Sequence, residues 1–559
     1  MVGIVALAAA LRLVALDRLP PGINQDEANR AYEAWCLRVT GKDHFGKAWP
    51  IFFRAFGKAD YPPGPYIYAL IPIQALLGVN VWSTRLPAAL LGTLNVLFLY
   101  LLARRLYGER VGLLAALLLA ISPWHLHLSR VAFEVSLCPP LVTLALWLIT
   151  RCQAKPAPGP PTPLRAPDLL GLIVAGLALG LAAWTYNSYR VVVPLLLIGG
   201  LAVFARQVYG FLRRPRGALS GGAFALGLVL GLAPFLWASI YTPEEAWGRA
   251  AAINVFHTSP NLWSAIRAAT WGELLHFNPA FLFFGTDEVQ SFRGYPQLHY
   301  FCLVLLPLGL LRAAWRPRSE RFGLLLWWWV LAAPVPAALT QFDFAHCLRA
   351  AGVVPAYELL CALGLGWLFA WVRRWGQGAR RWAVAIAGLV AVLNVTYFLH
   401  FLFVVVPVRT AQQYQAEWAE VIPEVRRLEP QYDLVVLTGR GSNQLATLYL
   451  FWGHVDPRAY FQMPVRRYEG QLWDNTVQVG RVLFVPLEAV PSLVPDLAPG
   501  EKLLVAERPG VPVRGRELKQ FHYPDGRVAL VLYDVELRAG APAGTGAAQP
   551  AAASNPSPG

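Results

Sequence analysis

The sequence predicts a mainly α-helical integral membrane protein with a small α/β domain at its C-terminal end. Three observations lead there. Of 559 residues, 56% are hydrophobic and only 14% are charged, far from the balance of a soluble chain. The apolar residues fall in blocks of about 16–25, the length that crosses a bilayer, and most blocks end in arginine-rich punctuation. After residue 407 the pattern becomes an amphipathic helix followed by strand-like runs.

Spans are expected at 1–16, 84–103, 111–124, 133–150, 168–185, 190–206, 217–240, 298–313, 322–340, 350–372 and 381–406, roughly eleven crossings. The loops at 104–110, 151–167, 206–216, 312–321 and 373–381 then share one side, and all are rich in arginine. By the positive-inside rule that side is cytoplasmic. Loops 17–83, 125–132, 186–189, 241–297 and 341–349, and everything after 407, face outward. The net charge of +15 therefore reflects membrane topology and not a nucleic-acid-binding face. Segment 64–80 (GPYIYALIPIQALLGVN) is apolar, yet counting it as a span would turn every later arginine loop outward. It is expected as a juxtamembrane or re-entrant helix in the outer interface. A cleaved signal peptide is the competing reading of the first apolar run, and Arg12 within that run weighs against it.

The predicted outer domain spans 407–538. Residues 410–428 carry an amphipathic helical pattern, and strand-like runs follow at 433–439, 481–487, 502–507 and 527–537. Pro524-Asp525-Gly526 is a turn feeding the last of them. The tail 539–559 is low-complexity and expected to be disordered. Six scattered cysteines show no CxxC spacing and are expected as structural thiols. His125-x-His127 beside Glu134 is weak spacing for a metal site, and no metal is assigned. Asp287-Glu288 in the large outer loop is expected as solvated chain, and the tryptophans of 237–271 as an interfacial belt.

The feature that points to chemistry is Asp26-Glu27, just beyond the first apolar run in DRLPPGINQDEANRAYEAW. A carboxylate held at the membrane surface is placed for general-base work on a substrate delivered in the bilayer. The structural alternative is a solvated loop with a helix N-cap at Asp26, because acidic residues suit a first helical turn. Glu134, at the outer start of a span, is the second candidate. Its alternative is an i,i+4 ion pair with Arg130. Among the outward cations, Lys58, Arg85, Arg130, Arg190, Arg293 and Arg349 are the candidates for phosphate contact. Phosphate contact is expected for Arg349 together with His346, and snorkelling for the others taken singly.

Several stretches together resemble a known family. LRLVALDRLPPGINQDEA, DYPPGPYIYALIPIQALLG, STRLPAALLGTLNVLFLYLLARRLYG, SPWHLHLSRVAFE, TYNSYRVVVPLL and, more weakly, AHCLRAAGVVPAYELLCALG carry the resemblance, chiefly over residues 11–210. They are similar to bacterial polyprenyl-phosphate-dependent membrane glycosyltransferases related to protein O-mannosyltransferases and the lipid A aminoarabinose transferase. These have the GT-C fold and form glycosyltransferase family 39.

The resemblance implies inverting transfer of a sugar from a polyprenyl-phosphate donor to an acceptor hydroxyl on the outer face of the plasma (inner) membrane. Asp26 occupies the family's catalytic-base position, with Glu27 beside it. Glu134 stands where the family commonly has Asp, which leaves its role open between orienting the acceptor and holding donor hydroxyls. Lys58 and Asp60 precede Tyr61-Pro62-Pro63, whereas the aminoarabinose-transferase branch has Lys directly before Pro-Pro. Lys58, Asp60, Arg85, Arg130, Arg190, His346 and Arg349 make up the expected donor- and phosphate-binding set. The acceptor is a protein, a lipid or a glycan, and no nucleic acid is involved. The rival class is a lipid or glycan transporter, whose marks would be internal repeats and charges within spans. Apart from Arg12 and Glu358, ionisable residues concentrate at span ends. A third class is a non-catalytic membrane receptor, which would give the Asp26 loop no role.

Overall fold

The computed structural model describes the chain except for residues 58–59, 153–165, 214–216, 286–290, 293, 316–320, 342–344, 439–443, 470–473, 496–499 and 537–559. Lys58, Asp287-Glu288, Arg293 and the 539–559 tail, all singled out in the sequence, lie outside the described residues. The chain divides into two compact units, Met1–Ala416 with Glu469–Asp474, and Glu417–Tyr468 with Asn475–Gly559.

The first unit has helices for almost all of its described regular elements. It opens with α1 (Val2–Leu13), α2 (Gln25–Thr40), α3 (Pro65–Leu77), α4 (Val81–Tyr107), α5 (Glu109–Ile121) and α6 (Pro123–Leu128). There follow α7 (Cys138–Cys152), α8 (Ala166–Thr185), α9 (Tyr189–Leu212), α10 (Gly217–Tyr241), α11 (Pro243–Ile253), α12 (Val255–Thr258) and α13 (Leu262–Leu275). The last group is α14 (Cys302–Ala314), α15 (Arg321–Ala332), α16 (Val335–Ala338), α17 (Val354–Val372), α18 (Gln377–His400) and α19 (Val406–Arg409). A π-helical turn, Phe401–Val405, joins α18 to α19.

Among the described residues, 8 helical stretches are long and apolar enough to cross a membrane. They match eight of the expected spans. The other three expected spans are α1, α5 and α14, helices of only 12, 13 and 13 residues. A full crossing takes about 20 residues, so these three do not reach that length as helix alone. Segment 64–80 forms α3, a short helix laid on its neighbours: Gln74 Nε2 donates to the Ala31 carbonyl of α2 at 2.9 Å, and Tyr66 Oη to the Thr84 carbonyl of α4 at 2.9 Å.

In a bilayer, packing depends on close approach more than on hydrophobicity, because lipid tails are as apolar as leucine. The crossing of α8 and α10 is built that way. Gly176 and Gly180 face Gly227 and Gly231, two GxxxG pairs back to back. A Cβ at Gly180 would lie 2.5 Å from the Leu228 carbonyl oxygen, and one at Gly231 would lie 2.5 Å from that of Leu177. The same device seats α14 on α17, where Gly309 meets the Leu360 carbonyl and Gly364 meets that of Leu305.

The second unit holds a seven-stranded sheet ordered β2-β3-β4-β1-β5-β7-β6. Its strands are β1 (Leu434–Leu437), β2 (Val465–Glu469), β3 (Asp474–Val479), β4 (Val482–Leu483), β5 (Lys502–Glu507), β6 (Arg516–His522) and β7 (Val528–Glu536). β1 runs parallel to both β4 and β5, and the outer pairings given by register are antiparallel. The four strands expected from the sequence are β1, β4, β5 and β7. β2, β3 and β6 carry no apolar run because polar and charged residues outnumber apolar ones in each, as in RELKQFH. The expected turn is present, with Gly526 at φ +83° supplying the left-handed residue that Pro524-Asp525 requires. The amphipathic helix begins at Trp418 (α20, Trp418–Leu428) instead of 410, and residues up to Ala416 belong to the first unit.

Gly180→Leu should force α8 and α10 apart and lower the thermal midpoint of the detergent-solubilised protein, an overpacking cost of about 1–3 kcal/mol. Gly200→Leu, where a Cβ meets nothing within 4 Å, should leave the midpoint unchanged.

Candidate active site

The site is organised by the start of α2. The chain enters that helix through a capping exchange: Asn24 Oδ1 accepts the Asp26 N–H at 2.8 Å, and Glu27 Oε2 accepts the Asn24 N–H at 3.1 Å. The helix N-cap expected at Asp26 is Asn24 instead, and of the two acids in the first turn the capping exchange takes the Glu27 carboxylate. That carboxylate is fully buried. Arg85 Nε and Nη2 donate to its two oxygens, each at 2.9 Å, and the Ala132 N–H donates to Oε1 at 2.8 Å. The remaining donors of Arg85 go to the carbonyls of Leu16 (3.1 Å), Pro20 (2.8 Å) and Gly22 (2.9 Å).

Glu27 and Arg85 are thus a buried clasp and not a catalytic acid and a phosphate ligand, which corrects both expectations. Arg130 has the same fate. Its guanidinium is buried and donates to the carbonyls of Leu11, Val14, Ala15 and Leu19 at 2.6–3.0 Å, wrapping the exit of α1. Arg12 donates to Ala8, Leu119 and Ala120 carbonyls and contacts His125 Nδ1 at 2.7 Å. His127 Nε2 turns elsewhere, to Tyr414 Oη at 2.9 Å. The two histidines therefore do not converge. Arg190 donates to the Ala246 carbonyl and lies over the rings of Phe52, Phe235 and Trp247, its carbon Cζ 4.6–5.7 Å from their centroids. Arg85, Arg130 and Arg190 all stand away from the cavity wall, held where they sit by packing and carbonyl oxygens.

With Glu27 turned inward, Asp26 faces an open cavity of about 210 Å³. Its wall carries Arg30, Asp60, Glu134, Arg249, His346 and Arg349, with Tyr186, Asn187, Ser188 and Thr340 as neutral hydrogen-bonding groups. Asp26, Asp60, Glu134, His346 and Arg349 from the expected set meet here. Glu134 sits in the 3₁₀ turn Glu134–Leu137 ahead of α7 and pairs with Arg30, so the i,i+4 pair with Arg130 is not formed. Arg30 also donates to Asn29 Oδ1 at 2.8 Å. Asp60 pairs with Arg249 of α11. His346 donates its backbone N–H to His276 Nε2 at 3.0 Å, which ties the loop after α16 to the end of α13.

Electrostatics set these groups apart. Burial raises the proton affinity of Asp26 above the ordinary aspartate value. Arg30 opposes that rise, Glu134 adds to it, Arg249 opposes it and Glu27 adds a little. Burial brings the Arg249 guanidinium down to about 10, still charged at neutral pH. His346 is held well below the usual histidine range by burial first, then by Arg349, His276 and Arg249, so it is a neutral imidazole. Such a wall can take a proton at Asp26 and receive an anion beside Arg249 and Arg349.

Two residues of this cluster went unnoticed in the sequence. Arg30 follows Asp26 at i,i+4 on one helix face, a signal that was there to read. Arg249 carries none, since nothing local links α11 to Asp60.

Residues 60–237 match the family model described as dolichyl-phosphate-mannose-protein mannosyltransferase. An undecaprenyl phosphate-α-4-amino-4-deoxy-L-arabinose arabinosyl transferase of Pseudomonas fluorescens is 27% identical over 357 residues, 59% of this chain and 54% of that protein. A dolichyl-phosphooligosaccharide-protein glycotransferase of Pyrococcus furiosus is 26% identical over 198 residues, 34% of this chain and 24% of that protein. The chain thus spans about half the length of the first of these relatives and a quarter of the second. In fold it is similar to crystal structures of ArnT from Cupriavidus metallidurans. The apo form has a TM-score of 0.53 at 16% identity, covering 95% of this chain and 97% of the other. A second structure, bound to undecaprenyl phosphate, gives 0.53 at 17% identity with the same coverage.

Breaking the clasp should be costly, because it strands a buried charge. Arg85→Ala is expected to destabilise the protein by about 3–5 kcal/mol in denaturation of the purified protein. Glu27→Gln, which keeps the size but not the charge, should cost nearly as much.

Proposed function

Taking the chain as a multi-pass membrane protein of the GT-C, glycosyltransferase-family-39 type, we propose that it transfers a sugar from a polyprenyl-phosphate donor to an acceptor hydroxyl, with inversion at the anomeric carbon. Asp26 is the base. It takes the acceptor O–H proton as that oxygen bonds to the anomeric carbon, while the bond from that carbon to the phosphate oxygen breaks and its electron pair leaves with the lipid phosphate. The leaving phosphate gains a second negative charge, which Arg349 and Arg249 meet, with neutral His346 as a hydrogen-bonding neighbour. Glu134 is a positioning residue that holds Arg30 beside Asp26. Asp60 does the same for Arg249.

The observation that carries this reading is the cavity itself: one carboxylate of raised proton affinity opposite two arginines, at the end of a helix start locked by a buried ion pair. The same lining argues against the transporter and receptor alternatives, since neither needs a base poised at a phosphate-sized cluster of cations. By the positive-inside distribution the cavity opens on the outer side of the plasma membrane. Donors named for the similar proteins are lipid-linked sugars. The acceptor class is a protein, a lipid or a glycan bearing a free hydroxyl.

Asp26→Asn should fold as wild type and lower the transfer rate about 10²–10⁴-fold, measured with labelled polyprenyl-phosphate sugars in membrane extract. Unchanged transfer would remove Asp26 from this role. A base must be ionised, so the wild-type rate should fall on acidification at a pH above the ordinary aspartate value of about 4. Glu134 raises the proton affinity of Asp26, so Glu134→Gln should move that acidic limb to lower pH. A limb that stays in place or rises would contradict the arrangement.

A further inference from the structure

Resting on the transferase reading, we propose that the donor sugar is uncharged, a hydroxylated hexose or pentose, and that the site discriminates against a sugar carrying an ammonium group. The protein of Pseudomonas fluorescens to which the chain is similar is named for a 4-amino sugar. A cationic sugar needs a carboxylate to spare, and the cavity wall offers little. Among its described residues the acids are Asp26, Asp60 and Glu134. Asp60 is ion-paired with Arg249, and Glu134 with Arg30. Asp26 is left for the acceptor proton.

An ammonium entering this cavity would lose its water and meet the guanidinium groups of Arg30, Arg249 and Arg349. Among the described residues three arginines stand against three carboxylates, so their charges balance, and the donor's phosphate then tips the wall negative only at the phosphate end. Hydroxyls find better company. Asn187, Ser188, Tyr186 and Thr340 line the wall, and Asn187 Oδ1 is buried with no hydrogen-bond partner, an acceptor that a sugar hydroxyl satisfies. Polar groups left unmatched in this way reject a wrong ligand as firmly as they hold a right one.

The test uses the full chain in detergent and two synthetic polyprenyl-phosphate pentoses, identical except that one bears a 4-ammonium and the other its neutral N-formyl form. Two quantities are read: displacement of a fluorescent polyprenyl phosphate, and release or transfer of the sugar. The neutral donor should displace the probe at a concentration at least about tenfold lower and be the one turned over. In Arg249→Gln, where Asp60 loses its partner, the ratio between the two donors should shrink toward one, a change that loss of folded protein would not produce. Equal displacement, or preference for the ammonium donor, overturns the inference even where transfer proceeds. Displacement that favours the neutral donor with no transfer from either supports the charge selection and sinks the transferase reading.

Discussion

The ion pair between Glu27 and Arg85 is the constraint on which the rest of the site depends. Neither side chain touches water, and every polar atom of the pair is matched by the other, by the Ala132 N–H or by a carbonyl of the Leu16–Gly22 loop. A buried pair of this kind adds little to stability when compared with packed hydrocarbon, but it tolerates one geometry only. That geometry sets the rotation of α2. On a helix the next side chain lies about 100° away, so fixing Glu27 inward aims Asp26 at the cavity. Arg130 performs the parallel service for the end of α1, and Gly22, at φ +71°, lets the intervening loop pass against Ala416 where a Cβ would lie 2.5 Å from that residue's Cα.

Much of the fold was legible because lipid imposes a simple grammar. Apolar length marks a crossing and arginine marks a side, and those two signals located every long helix of the first unit. The three short helices α1, α5 and α14 answer to the apolar runs 1–16, 111–124 and 298–313, which are themselves shorter than the roughly 20 residues of a full crossing. In the second unit, strands rich in apolar residues stood out, while β2, β3 and β6, with few apolar residues each, did not.

The site was legible in part, and the division has a physical reason. Residue type and position along the chain pick out Asp26, Glu134, Asp60, His346 and Arg349 as outward polar groups near spans. Whether an outward arginine faces a cavity or a row of carbonyl oxygens depends on which loop closes over it. Arg85, Arg130 and Arg190 look alike in sequence to Arg349. Loop 16–22, the end of α1, and the rings of Phe52, Phe235 and Trp247 took those three for structure. Long-range partners such as Asp60 and Arg249, 189 positions apart, leave no local trace. The outcome is a wall in which most charge is already spoken for, so a small change in any one group is felt by all the others.

The stretch after the last membrane helix does not simply lead away. Tyr414 reaches His127, Gln415 accepts the backbone N–H of Gln25 at 3.0 Å, and Ala416 lies against Gly22. The loop that leads into α2 is therefore held by residues made some 390 positions later. During synthesis every crossing can be inserted before that seal exists. In a nascent chain the entry to α2 therefore stays open until α19 and the residues just after it have left the ribosome and folded back, so the contacts at the start of α2 are among the last of the first unit to form.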